Sequence, residues 1–234
     1  MSIGKVFLIP MLLHEEGWEA IPSGTQSWIA QCDAFFVENE KTTRRFFKKV
    51  WKEMVIDDYV WHVIHKVESE QINALKQLLQ AGKNIGIVSE AGCAGIADPG
   101  QILVATAQEL GATVKPYTAP SSLLLALMAS GMNGQNFQFN GYLPIDSNER
   151  KKKIQSLEAD ANLKGCTQLF IETPYRNNQL LEALIQYCHP QTRLCIGVDI
   201  TAPEEFIKTA TIGYWKNNKP ELHKKLAVFL LGSK

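Results

Sequence analysis

The stretch Ser89–Gly100, SEAGCAGIADPG, decides how this chain is read. It follows the apolar run IGIV (Ile85–Val88) and precedes QILVATAQELG (Gln101–Gly111), whose apolar spacing is helical and stops at a glycine. A strand that ends in small residues and restarts as a helix after Pro-Gly leaves bare backbone at its carboxyl end, where open α/β sheets bind ligands. The turn carries no G-K-[ST], so it is not a phosphate-cradling P-loop, and Gly92, Gly95 and Gly100 do not fit G-x-G-x-x-G. Its nearest ionisable side chain is Glu90. A carboxylate beside bare backbone suits a ligand with hydroxyls or positive charge better than a polyphosphate. Asp98 is expected to cap the following helix, with Pro99 in its first turn. A well-capped turn without a ligand accounts for the same residues.

Outward from this turn, short β-rich runs alternate with helical patterns. Strands are expected at KVFLIP, AFFVE, IGIVSE, ATVKPY, FQFNGYL, QLFIET, RLCIGVDI, FIKTATIGYW and KLAVFLL. SEQINALKQLLQAG places Ile72, Leu75, Leu78 and Leu79 at helical spacing before Gly82, and NNQLLEALIQYC is another clear helix. The first half reads βαβαβ, which predicts a parallel sheet with crossover helices. In the last third the strands are separated by short connections, which predicts a mixed sheet. The expected fold class is therefore α/β in two domains, a Rossmann-like parallel-sheet domain over residues 1–118 and a mixed-sheet domain over 119–234. They join within YTAPSS (Tyr117–Ser122).

Bulk properties narrow the function classes. The 234 residues suffice for two domains of ~100–120 residues each. No segment approaches ~18 uninterrupted apolar residues, so no membrane span is expected. The opening MSIGKVFLIP enters a strand-like run with no small-residue cleavage site, so no secretory signal is expected. Five scattered cysteines with no C-x-x-C pair point to reduced thiols in cytoplasm and not to a disulfide framework or zinc site. Lys plus Arg and Asp plus Glu number 24 each, which argues against a protein that coats nucleic acid with its whole surface. Local patches remain: Lys41, Arg44, Arg45, Lys48, Lys49 and Lys52 share one expected helix, and ERKKK (Glu149–Lys153) opens another. Each is either a solvated face or an RNA-contacting face. His62 and His65 fall on opposite faces of a strand, and HEEGW is not H-E-x-x-H, so no metal is predicted.

After a further strand, TAPSSLLLALMASGMNG offers Ser121 and Ser122, then small residues (Ala126, Ala129, Ser130, Gly131) that allow close helix packing. Taken in order, SEAGCAGIADPG, APSSLLLALMASG, FNGYLP and IETPYRNN resemble the tetrapyrrole-methylase-like superfamily of S-adenosylmethionine-dependent methyltransferases. Within it they look most like the branch that methylates a ribose 2′-hydroxyl of small-subunit ribosomal RNA. The resemblance runs from about Glu68 to Leu231.

The resemblance implies a cofactor, S-adenosyl-L-methionine, folded between the two domains, and a homodimer. It implies cofactor contacts from Pro10, from Glu90, Ala91, Gly92 and Cys93, and from the hydroxyl pair Ser121 and Ser122. In the second domain it implies Glu172 of IETP, Thr201 of DITAPEE and Ala227 of KLAVF on the adenine side. Ser121 and Ser122 also suit a helix cap, and Glu172 also suits a structural ion pair with Arg176. Lys41, Arg44 and Arg176 are the expected substrate-binding cations, Arg offering a bidentate fork for phosphate or carboxylate. The catalytic residue is left open: methyl transfer needs alignment above all, and Glu38, Glu90 and His14 are the candidate bases for a hydroxyl acceptor. Two segments depart from the family pattern. The usual glycine-rich GTPIGN-like loop is IPMLLHEEGW here, and the usual EDTR is ENEK (Glu38–Lys41). Ribosomal RNA or the small ribosomal subunit is the expected partner. A tetrapyrrole or corrin precursor is the alternative substrate, and a non-catalytic RNA-binding paralogue the alternative class.

Overall fold

A computed structural model describes residues 2–64 and 71–233; His65 and the first residues of the family resemblance lie outside this range. The chain divides into two compact units, Met1–Ser121 and Ser122–Lys234.

The first unit holds strands β1 (Val6–Leu8), β2 (Ala34–Val37), β3 (Val60–Val63), β4 (Ile85–Val88) and β5 (Val114–Pro116). They form one sheet in the order β3-β2-β4-β1-β5, and every pairing is parallel. All four residues of β2 and of β4 are buried, as a parallel sheet covered on both faces requires. Alternate residues feed opposite cores. Phe7, Phe35, Val37 and Val88 pack with Ile29 of α1 (Thr25–Ile29) and with Phe46 and Phe47 of α2 (Glu40–Val50). Val6, Phe36, Ile85 and Ile87 pack with Leu75 and Leu79 of α3 (Ile72–Gln80) and with Leu103 and Ala107 of α4 (Gln101–Glu109). The neighbours β1 and β4 therefore lead to helices on opposite faces. Their outgoing loops part, which makes the carboxyl ends of β1 and β4 a topological switch point.

Two local expectations for this unit change. Asp98 does not cap α4. Gly100 is the cap residue, at φ 121°, with no side-chain hydrogen bond, and Pro99 lies outside the helix. That left-handed backbone is open to glycine and strained for other residues, so the chain turns there and leaves Asp98 short of the helix end. The basic helix is also shorter than its pattern: α2 ends at Val50, and Lys52 lies beyond it.

The second unit contains α5 (Ser122–Ser130), β6 (Phe137–Tyr142), α6 (Ser147–Lys164), β7 (Thr167–Ile171), α7 (Asn177–Tyr187), β8 (Arg193–Val198), β9 (Phe206–Thr211), α8 (Ile212–Asn217) and β10 (Ala227–Gly232). The sheet order is β6-β7-β10-β8-β9, parallel at β6–β7 and antiparallel elsewhere. In α6 the inward stripe is Ile154, Leu157 and Ala161, at helical spacing. Asp146 caps it by accepting from the N–H groups of Asn148 and Glu149, both at 2.9 Å, and left-handed Gly165 ends it. The core beneath includes fully buried Phe170 and Phe229, stacked 5.9 Å apart, each worth about 2–3 kcal/mol of apolar burial.

FIKTATIGYW is not one strand. It breaks at Thr211, whose hydroxyl accepts from the Tyr214 N–H at 3.2 Å and starts α8. Ile212 and Trp215 are both buried, and a spacing of three puts them on one helical face where a strand would have split them.

Candidate active site

The turn after β4 is approached first by the chain itself. Gly92 is left-handed (φ 65°), and a Cβ there would stand 2.9 Å from the Pro120 carbonyl oxygen and 3.0 Å from Leu13 Cδ2. Its own carbonyl accepts from the Met11 N–H at 3.0 Å. Next to it, the Cys93 thiol donates to the carbonyls of Ala119 and Pro120, at 3.7 and 3.5 Å. The loops after β1, β4 and β5 thus converge at the switch point. Pro10 is buried in the first of them. Tyr117 anchors the last by stacking on Trp28 at 3.8 Å and on Phe7 at 5.9 Å. Ser121 follows directly, and Ser122 opens α5 in the second unit.

Three carboxylates meet on the rim. Glu38 Oε2 accepts from the Glu90 N–H at 2.8 Å, and Asn39 Nδ2 donates to Glu90 Oε1 at 3.0 Å. Burial pushes the Asp98 carboxyl up to about 6, and the negative charges of Glu38 and Glu90 add to the shift. The preceding Ala97 is left-handed at φ 62°, a costly conformation for a residue with a Cβ. Sequence reasoning missed Asn39. It caps α2 through Oδ1 (Thr42 N–H, 3.1 Å) while its amide holds Glu90. The signal was present, because an Asn between a strand and EKTTRR is a helix-start pattern. His14 Nδ1 accepts from the Glu16 N–H at 3.3 Å.

The expected substrate cations are placed unevenly. Lys41 is exposed in the first turn of α2. Arg44 is engaged internally: it pairs with Glu40 at 2.7 Å and lies over the Trp61 ring at 4.9 Å, and its buried Nε has no partner among the described residues. Other cations of this face are also occupied. Lys48 donates to the carbonyls of Lys52 and Met54, and Lys49 lies over Trp18.

In the second unit, Glu172, Thr201 and Ala227 come together at one end of the sheet. Glu172 follows β7, Thr201 lies just past β8, and Ala227 begins the antiparallel β10 opposite Val198. Glu172 Oε1 accepts from Arg176 Nη2 at 2.5 Å, Arg176 Nε at 3.1 Å and its neighbour Thr173 N–H at 2.7 Å. The ion-pair alternative for Glu172 and Arg176 is therefore present in the fold. Asp199 binds Lys225 Nζ at 2.7 Å and the Leu226 N–H at 3.1 Å, which locks the β8 end to the β10 start. Thr201 is left-handed (φ 72°), and its buried hydroxyl has no hydrogen-bond partner among the described residues. A strained β-branched residue with an idle buried hydroxyl is a marker of function, and it falls at an expected cofactor position.

No family model matches the chain. Among curated relatives, the ribosomal RNA small subunit methyltransferase I of Mesorhizobium japonicum is 33% identical over 134 residues, covering 57% of this chain and 44% of that protein. That of Leptospira biflexa is 30% identical over 206 residues, covering 87% of this chain and 81% of that protein. The chain spans about half the length of the first relatives it matches. Among solved structures, the methyltransferase CobJ matches with a TM-score of 0.65 at 15% identity, over 98% of this chain and 94% of that one. Uroporphyrin-III C-methyl transferase from Thermus thermophilus, complexed with S-adenosylhomocysteine, matches at 0.59 and 13%, over 98% and 97%. The solved structures establish the fold, an α/β tetrapyrrole-methylase arrangement of one parallel and one mixed sheet. The extended match at 30% identity establishes the kinship: the chain belongs to the ribosomal RNA small subunit methyltransferase I family.

Proposed function

We propose that this protein is an S-adenosylmethionine-dependent methyltransferase that modifies a ribose 2′-hydroxyl of small-subunit ribosomal RNA. Besides the kinship, one observation carries the reading: the loops after β1, β4 and β5 converge at Glu90–Cys93, where left-handed Gly92 lets the Pro120 carbonyl and Leu13 approach more closely than a Cβ would allow. Pro10, Glu90, Ala91, Gly92, Cys93 and Ser121 of the first unit, with Ser122, Glu172, Thr201 and Ala227 of the second, would hold the cofactor. The idle Thr201 hydroxyl fits a polar ligand edge. The bound cofactor supplies an electrophilic methyl group on a cationic sulfur.

The chain's own residues then have three tasks. The Glu38–Glu90–Asp98 rim sets a negative field that favours a cationic ligand over a polyphosphate. The converged segments at Met11, Leu13 and Pro120 close over Gly92 and fix the backbone of the turn. An acceptor hydroxyl has to lose a proton, and the Asp98 carboxyl, raised to about 6, is suited to accept one near neutral pH. Lys41 and the Arg176 guanidinium supply cations for RNA phosphate, Arg176 being oriented by Glu172.

The protein acts in the cytoplasm, where ribosomal subunits are, and as a homodimer, which sedimentation tests. The deciding experiment is transfer of radiolabelled methyl from S-adenosylmethionine to small ribosomal subunits lacking the modification. Label on the RNA ribose supports the reading. Label on porphyrinoid precursors alone replaces it with tetrapyrrole methylation. No cofactor binding by calorimetry leaves a non-catalytic RNA-binding protein.

A further inference from the structure

Arg150 is a cation taken out of water without a counter-charge. It is only 7% exposed, and among the described residues it forms no ion pair and its buried Nε has no hydrogen-bond partner. Among the described residues its guanidinium makes one hydrogen bond, from Nη1 to the Ile145 carbonyl at 3.3 Å. A guanidinium cannot escape by losing its proton, so a buried one whose Nε–H is idle has room in its bonding for an anion. Ile145 immediately precedes the cap of α6, so the guanidinium is curled back onto the start of an 18-residue helix. The helix dipole adds positive field there, while the Asp146 carboxylate is taken up by the amides of Asn148 and Glu149.

The same corner displays what a nucleobase needs. Tyr142, the last residue of β6, is 59% exposed, and Ile145 is 73% exposed. β6 is an edge strand, with β7 as its single partner among the described residues. Lys153 reaches over β6 to Asn140 Oδ1 at 3.2 Å, and Lys152 is exposed beside it. An exposed ring at the end of β6 and cations on the helix that follows match the alternation of base and phosphate along a single strand, whereas bases inside a duplex present no free face.

We infer that the corner formed by Tyr142, Ile145, Arg150 and Lys153 docks a single-stranded segment of RNA, Tyr142 stacking on a base and Arg150 receiving the adjoining phosphodiester. The inference rests on the reading that RNA is the substrate, but it is tested without methyl transfer. Fluorescence anisotropy with a labelled single-stranded oligoribonucleotide of about ten nucleotides, within the site sizes of such surfaces, reads it directly. Tyr142→Ala is expected to weaken binding by roughly 10-fold or more, while Tyr142→Phe retains it. Arg150→Gln is expected to weaken binding and to lower the salt slope by about one phosphate. Calorimetric affinity for S-adenosylmethionine is expected to stay unchanged in the two Tyr142 variants.

Tyr142 is exposed, so its variants fold whatever becomes of Arg150→Gln, and Tyr142→Ala decides the matter. Single-strand binding equal to wild type in Tyr142→Ala overturns the inference. So does a dimer that falls to monomer in Tyr142→Ala with RNA affinity intact, since a second copy then covers the patch. If the corner binds RNA but small subunits take no methyl, the proposed reaction alone is lost. If subunits are methylated and Tyr142→Ala binds like wild type, the docking site alone is lost.

Discussion

Glu38 and Glu90 stand at the ends of the neighbouring strands β2 and β4, 52 positions apart in the chain, and are joined where the Glu90 N–H donates to Glu38 Oε2 at 2.8 Å. The bond brings two acidic side chains together, and Asn39 holds the second of them. Their shared field is felt by Asp98.

That field makes stability depend on pH. An aspartate in the unfolded chain ionises near pH 4, whereas burial and the two glutamates raise Asp98 to about 6 in the fold. The folded state holds the extra proton between those values. The group's contribution is therefore most favourable below about pH 4 and is lost as pH rises through about 6. Asp98→Asn is expected to stabilise the protein by about 1 kcal/mol at neutral pH, after allowance for partial exposure, and by almost nothing near pH 4. Melting curves at the two pH values check this; equal shifts at both would contradict it.

Gly92→Ala tests the converged loops. The new Cβ meets the Pro120 carbonyl at 2.9 Å in a left-handed backbone. A loss of about 1–3 kcal/mol is expected in denaturant unfolding. If the switch point holds the cofactor, calorimetric affinity falls with it. Gly111→Ala, also left-handed but with open space around its Cβ, is expected to lose stability alone.

The Glu172–Arg176 pair should respond asymmetrically. The Glu172 side chain is 1% exposed and that of Arg176 27%. Arg176→Ala strands a buried carboxylate and is expected to cost about 3–5 kcal/mol. Glu172→Gln leaves a cation that water can partly reach, and about 1–2 kcal/mol is expected. Urea midpoints rank the two, and the reverse order would refute the burial argument.

Thiol labelling should be nearly silent in the native protein. Cys32, Cys166, Cys188 and Cys195 are buried, and Cys93 is the one intermediate case among the five. Burial raises Cys93, Cys195 and Cys32, and pushes Cys188 up to about 12. At about pH 8, at most about one slow equivalent is expected to react, assignable to Cys93 by its loss in Cys93→Ser, and five in denaturant.

Much of the architecture was legible in the chain. IGIV and AFFV are fully apolar runs and became the doubly covered centre of the parallel sheet. Helices that stop at Gly82 and Gly111 did so because those glycines accept the left-handed backbone of a helix end. FIKTATIGYW misled because β-propensity ran on through Ile212 and Tyr214, while a single Thr hydroxyl and the burial of Trp215 turned the chain into a helix. At the site, the basic pattern of α2 suggested a cationic face, yet Arg44, Lys48 and Lys49 are occupied by Glu40, by carbonyls and by aromatic rings.

What the sequence determined by itself is most of the alternation of strands and helices, with β3 read only around His62 and without α8, together with the parallel-then-mixed character of the two sheets and the glycine turn after β4. All of these follow from local backbone preference and from the periods of apolar residues. Only the tertiary structure decided which charges are spent on one another, that Glu38, Glu90 and Asp98 share one field, and that Thr201 and Arg150 are left with idle buried donors. Electrostatic and hydrogen-bond energies depend on approach within a few ångströms and on exclusion of water, and packing sets both for residues far apart in the chain.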